Sequence, residues 1–556
     1  MNFPAKKIDM GLPPLALGCA VFIAVAHNGL FWSSLLQVVE VSSLRGILSI
    51  ADVFILIAGL LTVLLLLLGI PYVFKPVVVI LFVISSLIGF FEGQYGIVID
   101  RTMIQNIIDT DYREAGELLT FPLLFHMALF GVLPALALSF VRIRLKPFAR
   151  ELSSRLLSLA LAVVVIGAAF LLGYKNLTLI GRNHSKLRLF MNPGYPLYSA
   201  YTYLKHKNHR AGVTPIGMDA RQAKPPRTKK KTLVVFVVGE TAREKEFSLN
   251  GYARQTNPYL EHDDVISFTE TYACGTSTAY SLPCMFSHLG KSVYSTEKAA
   301  EYENVLDVLA HAGVTVLWRD NNSGCKGVCS RVDLEDMAAV AAPGLCSEGE
   351  CFDEVLLYKL QDYIKRVNSD ALIVLHQRGS HGPAYSRRHP SAFSRFTPEC
   401  TSSSPQECEN SQIINAYDNT IVYTDYFLHK TIALLKKNAG NCDTMLMYFS
   451  DHGESLGENG IFLHGLPAVI APDEQKHIPF ILWLSDGYAK SYHVDKNCLA
   501  GHRDHAYSHD NIFHSLLGAF GITTELYKQD QDILNQCTDN SPPARLRQEA
   551  PRPSSA

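Results

Sequence analysis

Five apolar runs fill the first third of the chain, at about residues 12–31, 47–69, 76–92, 121–141 and 156–174. Each approaches the roughly 20 residues a helix needs to cross the hydrocarbon core of a bilayer. Every backbone polar group in that core must be satisfied within the protein, which restricts runs this long to helices. Lys6 and Lys7 precede the first run as they would in a signal peptide. No small-residue cleavage site follows it and four more runs do, so it reads as a retained helix. The third run is short, and Pro13, Pro14 and Pro134 are expected to bend their helices.

Loop charges give the orientation. Arg142, Arg144, Lys146, Arg150 and Arg155 crowd the link between the fourth and fifth runs, which places that link on the cytoplasmic side. Lys6, Lys7 and Lys75 fall on the same side, and five crossings then put everything after residue 174 outside. Lys175, Arg182, Lys186 and Arg188 argue the other way, and the cysteines decide. Eleven of twelve follow residue 174, and eight of them form close pairs: Cys274 with Cys284, Cys325 with Cys329, Cys346 with Cys351, and Cys400 with Cys408. The spacings at 346/351 and 400/408 are not those of zinc fingers, so disulfides in a periplasm-like compartment fit better. Cys498 and Cys537 are assigned a fifth bridge, leaving Cys442 free. The basic stretch at 175–188 then lies against anionic headgroups on the outer face.

Between the third and fourth runs, residues 95–120 suit an amphipathic helix on the outer surface. Met103, Ile104, Ile107 and Ile108 form one face, while Asn106, Thr110 and Glu114 recur at i, i+4 and i+8 on another. An amide, a hydroxyl and a carboxylate in line can hold a lipid headgroup amine. The spacing alone favours a solvated polar face.

At 556 residues the chain exceeds one core. Its net charge of −2 leaves no nucleic-acid footprint. The expected division is 1–174 transmembrane, 175–231 surface segment and linker, 232–538 catalytic, and 539–556 a disordered Pro-rich tail. Continuous β-branched or apolar runs at 232–238, 314–318, 371–375 and 444–449 read as strands buried on both faces of a parallel sheet. Helical segments at 301–312, 351–367 and 410–437 alternate with them, so the soluble part is a doubly wound α/β domain.

Ligands of such sheets sit beyond the carboxyl ends of the strands. There the chain places Glu240, the loop Arg319–Lys326, the run His376–Pro383, and Asp451-His452 with His464 twelve residues on. Two carboxylates and an imidazole make a hard-to-borderline divalent site, for which zinc is the natural ion. The stretch 274–284 adds small hydroxyl residues ahead of the apolar run at 285–289, the pattern of a helix start. A hydroxyl there lies at the positive end of a helix dipole, which favours phosphate, and a nearby metal makes its alkoxide accessible. The plain alternative is a capped helix beside a structural disulfide.

These blocks together resemble the phosphoethanolamine transferases of Gram-negative bacteria, within the alkaline phosphatase/sulfatase superfamily, and most closely the lipid A enzymes, including those of polymyxin resistance. The resemblance covers nearly the whole chain through the five runs, the 95–120 helix, Gly239-Glu-Thr-Ala-Arg243, Asn250-Gly-Tyr252, 274–287, Gly379-Ser-His-Gly-Pro383 and Ser450-Asp-His-Gly-Glu-Ser455. It implies a five-helix transmembrane bundle plus a periplasmic α/β domain of alkaline phosphatase/sulfatase type, in a monomeric multi-pass inner-membrane enzyme. Thr278 would be the nucleophile, and Glu240, Asp451 and His452 would bind zinc with it. Thr276, Ser277 and Ser281 would be capping hydroxyls.

By the same resemblance His381 and His464 take the transferred phosphate, a second zinc or both, and move protons. Asn322, Ser323 and Lys326 hold the phosphate and headgroup, although the pair Cys325 and Cys329 beside Lys326 is not universal in the family. Asn106, Thr110 and Glu114 hold the donor amine, against the solvated-face reading. The implied reaction moves phosphoethanolamine from phosphatidylethanolamine to a lipid A phosphate through a covalent threonine ester. The rivals are a lipopolysaccharide core sugar as acceptor, a membrane-anchored metallophosphatase, and a metal-binding sensor. The formylglycine motif of sulfatases is absent. His376 is expected beside the site, and His502, Asp504, His505 and His509 at caps and surface. Asp52 and His126 are functional candidates as ionisable groups within spans.

Overall fold

The computed structural model describes residues 8–110, 112–207, 212–222, 230–347 and 350–538. The proposed 539–556 tail lies outside them. Helices α1 (Leu12–Ala26) and α2 (Gly29–Val38) form a pair bent by 65°. Helices α3 (Leu44–Leu67), α4 (Phe74–Tyr95), α7 (Phe121–Ser139) and α8 (Phe148–Asn183) are each long and apolar enough to cross a membrane. The five runs are thus four continuous candidates and one broken one, and within α7 a π-helical segment, Met127–Val132, directly precedes the turn that holds Pro134.

The break is not where proline suggested. Pro13 and Pro14 open α1, where a missing N–H costs nothing, and the bend falls at His27–Asn28. There Asn28 Nδ2 donates to Ile23 O at 3.0 Å and to Asn192 O at 2.9 Å, while Asn192 Nδ2 donates to His27 O at 3.0 Å. Side-chain amides take the place of helical partners, so the Ile23, His27 and Asn192 carbonyls at the elbow keep donors inside an apolar half. Of the two ionisable candidates in spans, Asp52 lies against Gly173 of α8, and His126 packs 4.7 Å from the Phe130 ring.

The single amphipathic helix expected over 95–120 is two pieces. Gly96 ends α4 in the left-handed region, Ile97–Ile99 run buried, and α5 spans Arg101–Asp109. Thr110 then turns to extended backbone (φ −64°, ψ 127°), and its hydroxyl bonds the Asn106 carbonyl at 2.7 Å. Helix α6 covers Tyr112–Glu117. Thr110 therefore ends a helix instead of continuing one face, and the i, i+8 alignment of Asn106 with Glu114 is lost. The Glu114 side chain lies outside the described residues.

The soluble half is built on a seven-stranded sheet. Its strands are β1 (Lys231–Gly239), β2 (Ile266–Phe268), β3 (Thr315–Asp320), β4 (Asp333–Asp336), β5 (Ala371–His376), β6 (Cys442–Ser450) and β7 (Phe480–Leu484), in the order β2-β7-β6-β1-β5-β3-β4. The β6-β1-β5-β3-β4 block is parallel, and β7 and β2 are antiparallel. Val234, Phe236 and Val238 enter one core and Leu233, Val235 and Val237 the other, which is why β1 reads as an unbroken apolar run. The linker expected within 175–231 is not bare: Arg221–Gln222 pairs with Ile522–Thr523, and residues 223–229 are outside the described set.

Candidate active site

Register builds the centre. Gly239 of β1 pairs with Ser450 of β6, so the next residues, Glu240 and Asp451, leave the sheet side by side. His452 follows, and Gly453 lets the chain turn, since a Cβ there would collide with the Glu474 carbonyl oxygen. Helix α9 (Thr278–Met285) aims its first turn at the same point, with Thr278 as its first residue.

Thr278 Oγ1 lies 3.1 Å from both Glu240 carboxylate oxygens and 3.3 Å from His452 Nε2. His452 Nε2 is also 3.4 Å from Glu240 Oε1 and from Asp451 Oδ2. His452 Nδ1 donates to Gly453 O at 2.9 Å, which leaves Nε2, facing the carboxylates, as the atom that takes either an ion or a proton. Asp451 Oδ2 is buried without a hydrogen-bond partner. One ligand atom each from Glu240, Asp451 and His452 fits within 4.8 Å of the others. An orphaned carboxylate oxygen, a second carboxylate, an imidazole and a hydroxyl fit a divalent cation of zinc's type.

Electrostatics give the same reading. Burial and then Glu240 push Asp451 up to about 6. Burial opposes charge on His452, but Asp451 and Glu240 outweigh it and raise the imidazole to about 9. Burial likewise opposes the Glu240 charge, and His452 holds that carboxyl low. The two carboxylates demand a positive charge among them, and a proton on His452 supplies it when no ion does.

His464 stands over this centre, its ring 4.4 Å from His452 and 5.4 Å from His381, with Nδ1 3.1 Å from Glu454 Oε2. Burial, aided by His464 and Arg388, outweighs Glu240 and brings His381 well below the ordinary histidine value.

The two halves of the chain meet at this site. Met103 of α5 closes on Gly465, whose φ of +90° and missing Cβ admit it, and Asn106 Nδ2 lies beside the same glycine. Arg101 pairs with Glu297, and α5 packs on α9.

Two family models match this chain, one in each half. One described as phosphoethanolamine transferase EptA/EptB matches residues 57–208, and one described as sulfatase matches residues 232–522. The chain is 40% identical over 538 residues to the phosphoethanolamine transferase EptA of Escherichia coli (strain K12), spanning 96% of this chain and 98% of that one. This chain belongs to the phosphoethanolamine transferases. It is also 38% identical to the phosphatidylethanolamine transferase Mcr-1 of Escherichia coli, over 92% of this chain and 96% of that one. Its fold matches the integral membrane lipooligosaccharide phosphoethanolamine transferase A of Neisseria meningitidis with a TM-score of 0.92 at 32% identity, covering 96% and 99% of the two chains.

In this transferase the structure brings Glu240, Thr278, Asp451, His452, His381 and His464 together. Asn322 joins them, donating from Nδ2 to Glu240 Oε2 at 2.7 Å and to Gln377 O at 2.9 Å. Ser323 and Lys326 hold each other, with Lys326 Nζ 3.0 Å from Ser323 Oγ. Thr276 donates to Leu466 O, Ser281 accepts from Gly275 N, and Ser277 is the N-cap residue, with no side-chain capping bond. His376 is not among the close contacts of Thr278: its Nδ1 is 2.9 Å from Asp320 Oδ2 and its Nε2 3.3 Å from Asn322 Nδ2.

All five expected disulfides are present, and Cys442 and Cys19 are unpaired. Cys325 is bonded to Cys329 across the turn that carries Lys326, with Cys329 buried against the sheet and its N–H donating to Cys325 Sγ. Cys346 is bonded to Cys351 across a two-stranded hairpin. Cys400 is bonded to Cys408 just ahead of the long helix Asn410–Asn438, and Cys408 N donates to Pro405 O at 3.0 Å. Cys498 is bonded to Cys537. None of these cysteines joins Glu240, Asp451 and His452 in the metal-ligand group, so Cys329 and Cys408 brace loops and take no part in the centre itself.

His509 corrects half of the sequence reading. It is the N-cap residue of the helix Asp510–Ala519, but it is not at the surface, being 1% exposed. Its Nδ1 accepts from Cys274 N at 3.1 Å and its Nε2 donates to Ser450 O at 3.0 Å, tying the Thr278 loop to β6. Its neighbours His502 and His505 stack on each other beside the Cys498–Cys537 bridge, apart from the centre. The Cys274–Cys284 bridge clamps the same loop from its other side. Replacing both cysteines by serine is expected to lower turnover by about a hundredfold through misplacement of the Thr278 hydroxyl. Steady-state kinetics on the purified variant check this, and turnover within twofold of wild type would refute it.

Proposed function

We propose that this transferase moves phosphoethanolamine from phosphatidylethanolamine to a phosphate of lipid A on the outer face of the cytoplasmic membrane, through a covalent ester on Thr278. The observation that carries this reading is the Thr278 hydroxyl, at a helix N-terminus and within 3.3 Å of both Glu240 and His452. Glu240, Asp451, His452 and Thr278 are the residues that would hold zinc, which lowers the hydroxyl pKa and offsets charge on the phosphoryl group. Similarity to a phosphatidylethanolamine transferase and to lipooligosaccharide and Kdo(2)-lipid A phosphoethanolamine transferases supports the donor and the acceptor.

Thr278 Oγ attacks the donor phosphorus and the P–O bond to diacylglycerol breaks. The threonine proton passes to the departing alkoxide by way of His464 or His381. A protonated lipid A phosphate oxygen then attacks the same phosphorus and gives its proton to the same histidine, the Oγ–P bond breaks, and that proton passes to Thr278. Glu454 occupies Nδ1 of His464, which leaves Nε2 as the atom that carries a proton. Asn322, Ser323 and Lys326 are assigned to the transferred phosphate, and Asn106, Thr110 and Glu114 to the donor ammonium. A second ion, if the site takes one, falls to His381 and His464.

The product carries a new ammonium group, which offsets anionic charge on the cell surface and weakens the binding of polymyxin and other cationic peptides. Mass spectrometry of lipid A from cells with and without the protein tests the reading. A gain of one phosphoethanolamine unit per modified phosphate is expected, and unmodified lipid A beside a modified core sugar would move the acceptor.

A further inference from the structure

Arg388 is an arginine in an unusual place: its side chain is 1% exposed and it serves three partners. Its Nη2 pairs with Glu117, the last residue of α6, whose side chain is 3% exposed. Its Nη1 lies 3.4 Å from Glu350 Oε2, and Glu350 Oε1 is taken by Arg378 at 2.9 Å. Its Nε donates to the backbone carbonyl of His381 at 2.7 Å. The pair stands at the wall of a cavity of about 750 Å³, on the seam between the α6 segment and the catalytic domain.

We propose that Arg388 is a positioning residue for His381, and that Glu117, supplied by the membrane-anchored half, keeps Arg388 in place. The proposal rests on the reading above, in which His381 meets the transferred phosphate. Removal of the Glu117 charge leaves Arg388 with Glu350 Oε2, at 3.4 Å, as its carboxylate contact among the described residues, and Glu350 already holds Arg378 through Oε1. A buried ion that loses its partner must move toward another charge or toward water. The guanidinium fork is planar and rigid, so such a move swings Nε off the His381 carbonyl. His381 lies five residues past the end of β5, and Arg388 grips it from the far side of that loop. Docking of α6 is thereby coupled to the geometry of the site, without Glu117 touching substrate.

The test uses the full chain in detergent and two substrates, fluorescent phosphatidylethanolamine and a soluble nitrophenyl phosphoethanolamine diester. Glu117→Gln is expected to lower kcat on both by about tenfold with KM for the small diester unchanged, since a displaced histidine slows the chemistry and leaves binding alone. Glu117→Asp, which keeps the charge, should recover part of the loss. Glu117→Gln combined with Arg388→Lys should be no slower than Arg388→Lys alone, because the first change acts through the second residue. Wild-type kcat on the small diester in Glu117→Gln, or losses that multiply in the double variant, would overturn the proposal. Hydrogen exchange gives a readout independent of turnover: Glu117→Gln should speed amide exchange over 379–385 while that of β5 stays unchanged. Equal acceleration in β5 would mean global destabilisation and also overturn it. A wild-type enzyme inert on both substrates would refute the transferase reading and leave the exchange result to decide the Arg388 contact.

Discussion

Thr278→Ala is expected to lower phosphoethanolamine transfer by at least about a thousandfold, because no other group can take the place of a lost nucleophile. The fold should survive. Thr278 sits at the start of α9, where alanine is tolerated, and Ser277, not Thr278, is the N-cap residue. Glu240, Asp451 and His452 remain, so metal uptake should weaken without vanishing. Intact-mass spectrometry of wild-type protein incubated with donor and no acceptor should show a covalent gain of one phosphoethanolamine unit, absent from the variant. A variant that still modifies lipid A would remove Thr278 from the chemistry.

Stripping the divalent ion should abolish turnover and lower thermal stability. Glu240 and Asp451, 1% and 0% exposed, converge with one imidazole, and Asp451 Oδ2 has no hydrogen-bond donor. An ion bound at a thousandfold excess over its Kd stabilises the folded state by roughly 4 kcal/mol, a shift of several degrees in Tm. The sign with pH follows from His452, whose value of about 9 belongs to the ion-free site. Below that pH the ion must displace a proton, so uptake weakens as pH falls. Zinc added to chelated protein should restore both Tm and turnover, with about one equivalent at the Glu240 centre. Full activity in protein shown by elemental analysis to hold no metal would refute the assignment.

The centre was legible because each of its residues ends a strongly patterned element. Glu240 closes one apolar strand and Asp451-His452 another, and parallel pairing carries such ends to one edge of the sheet. Thr278 was visible as a hydroxyl residue ahead of an apolar run, though its neighbours Thr276, Ser277 and Ser281 share that pattern, and the resemblance chose among them. The elbow at His27–Asn28 was not legible, since a hydropathy window averages over it and one of the two amides that support it, Asn192, lies 164 residues away. Nor was the stop at Thr110, where a side-chain bond to Asn106 O competes with the next helical turn. His509 lay in a loop rich in histidine and aspartate, where burial leaves no local mark. Glu117 and Arg388 are 271 residues apart, and each alone looks like an ordinary surface charge.

The packing of α5 against α9, with Met103 seated on Gly465, ties Thr278, the nucleophile proposed above, to the segment that leaves α4. A lipid donor then never has to leave its leaflet, and encounter becomes a two-dimensional search. The relevant concentration is a mole fraction within the bilayer, so the enzyme should obey surface-dilution kinetics. Adding inert phosphatidylcholine to vesicles of fixed total donor would slow it, whereas adding water would not.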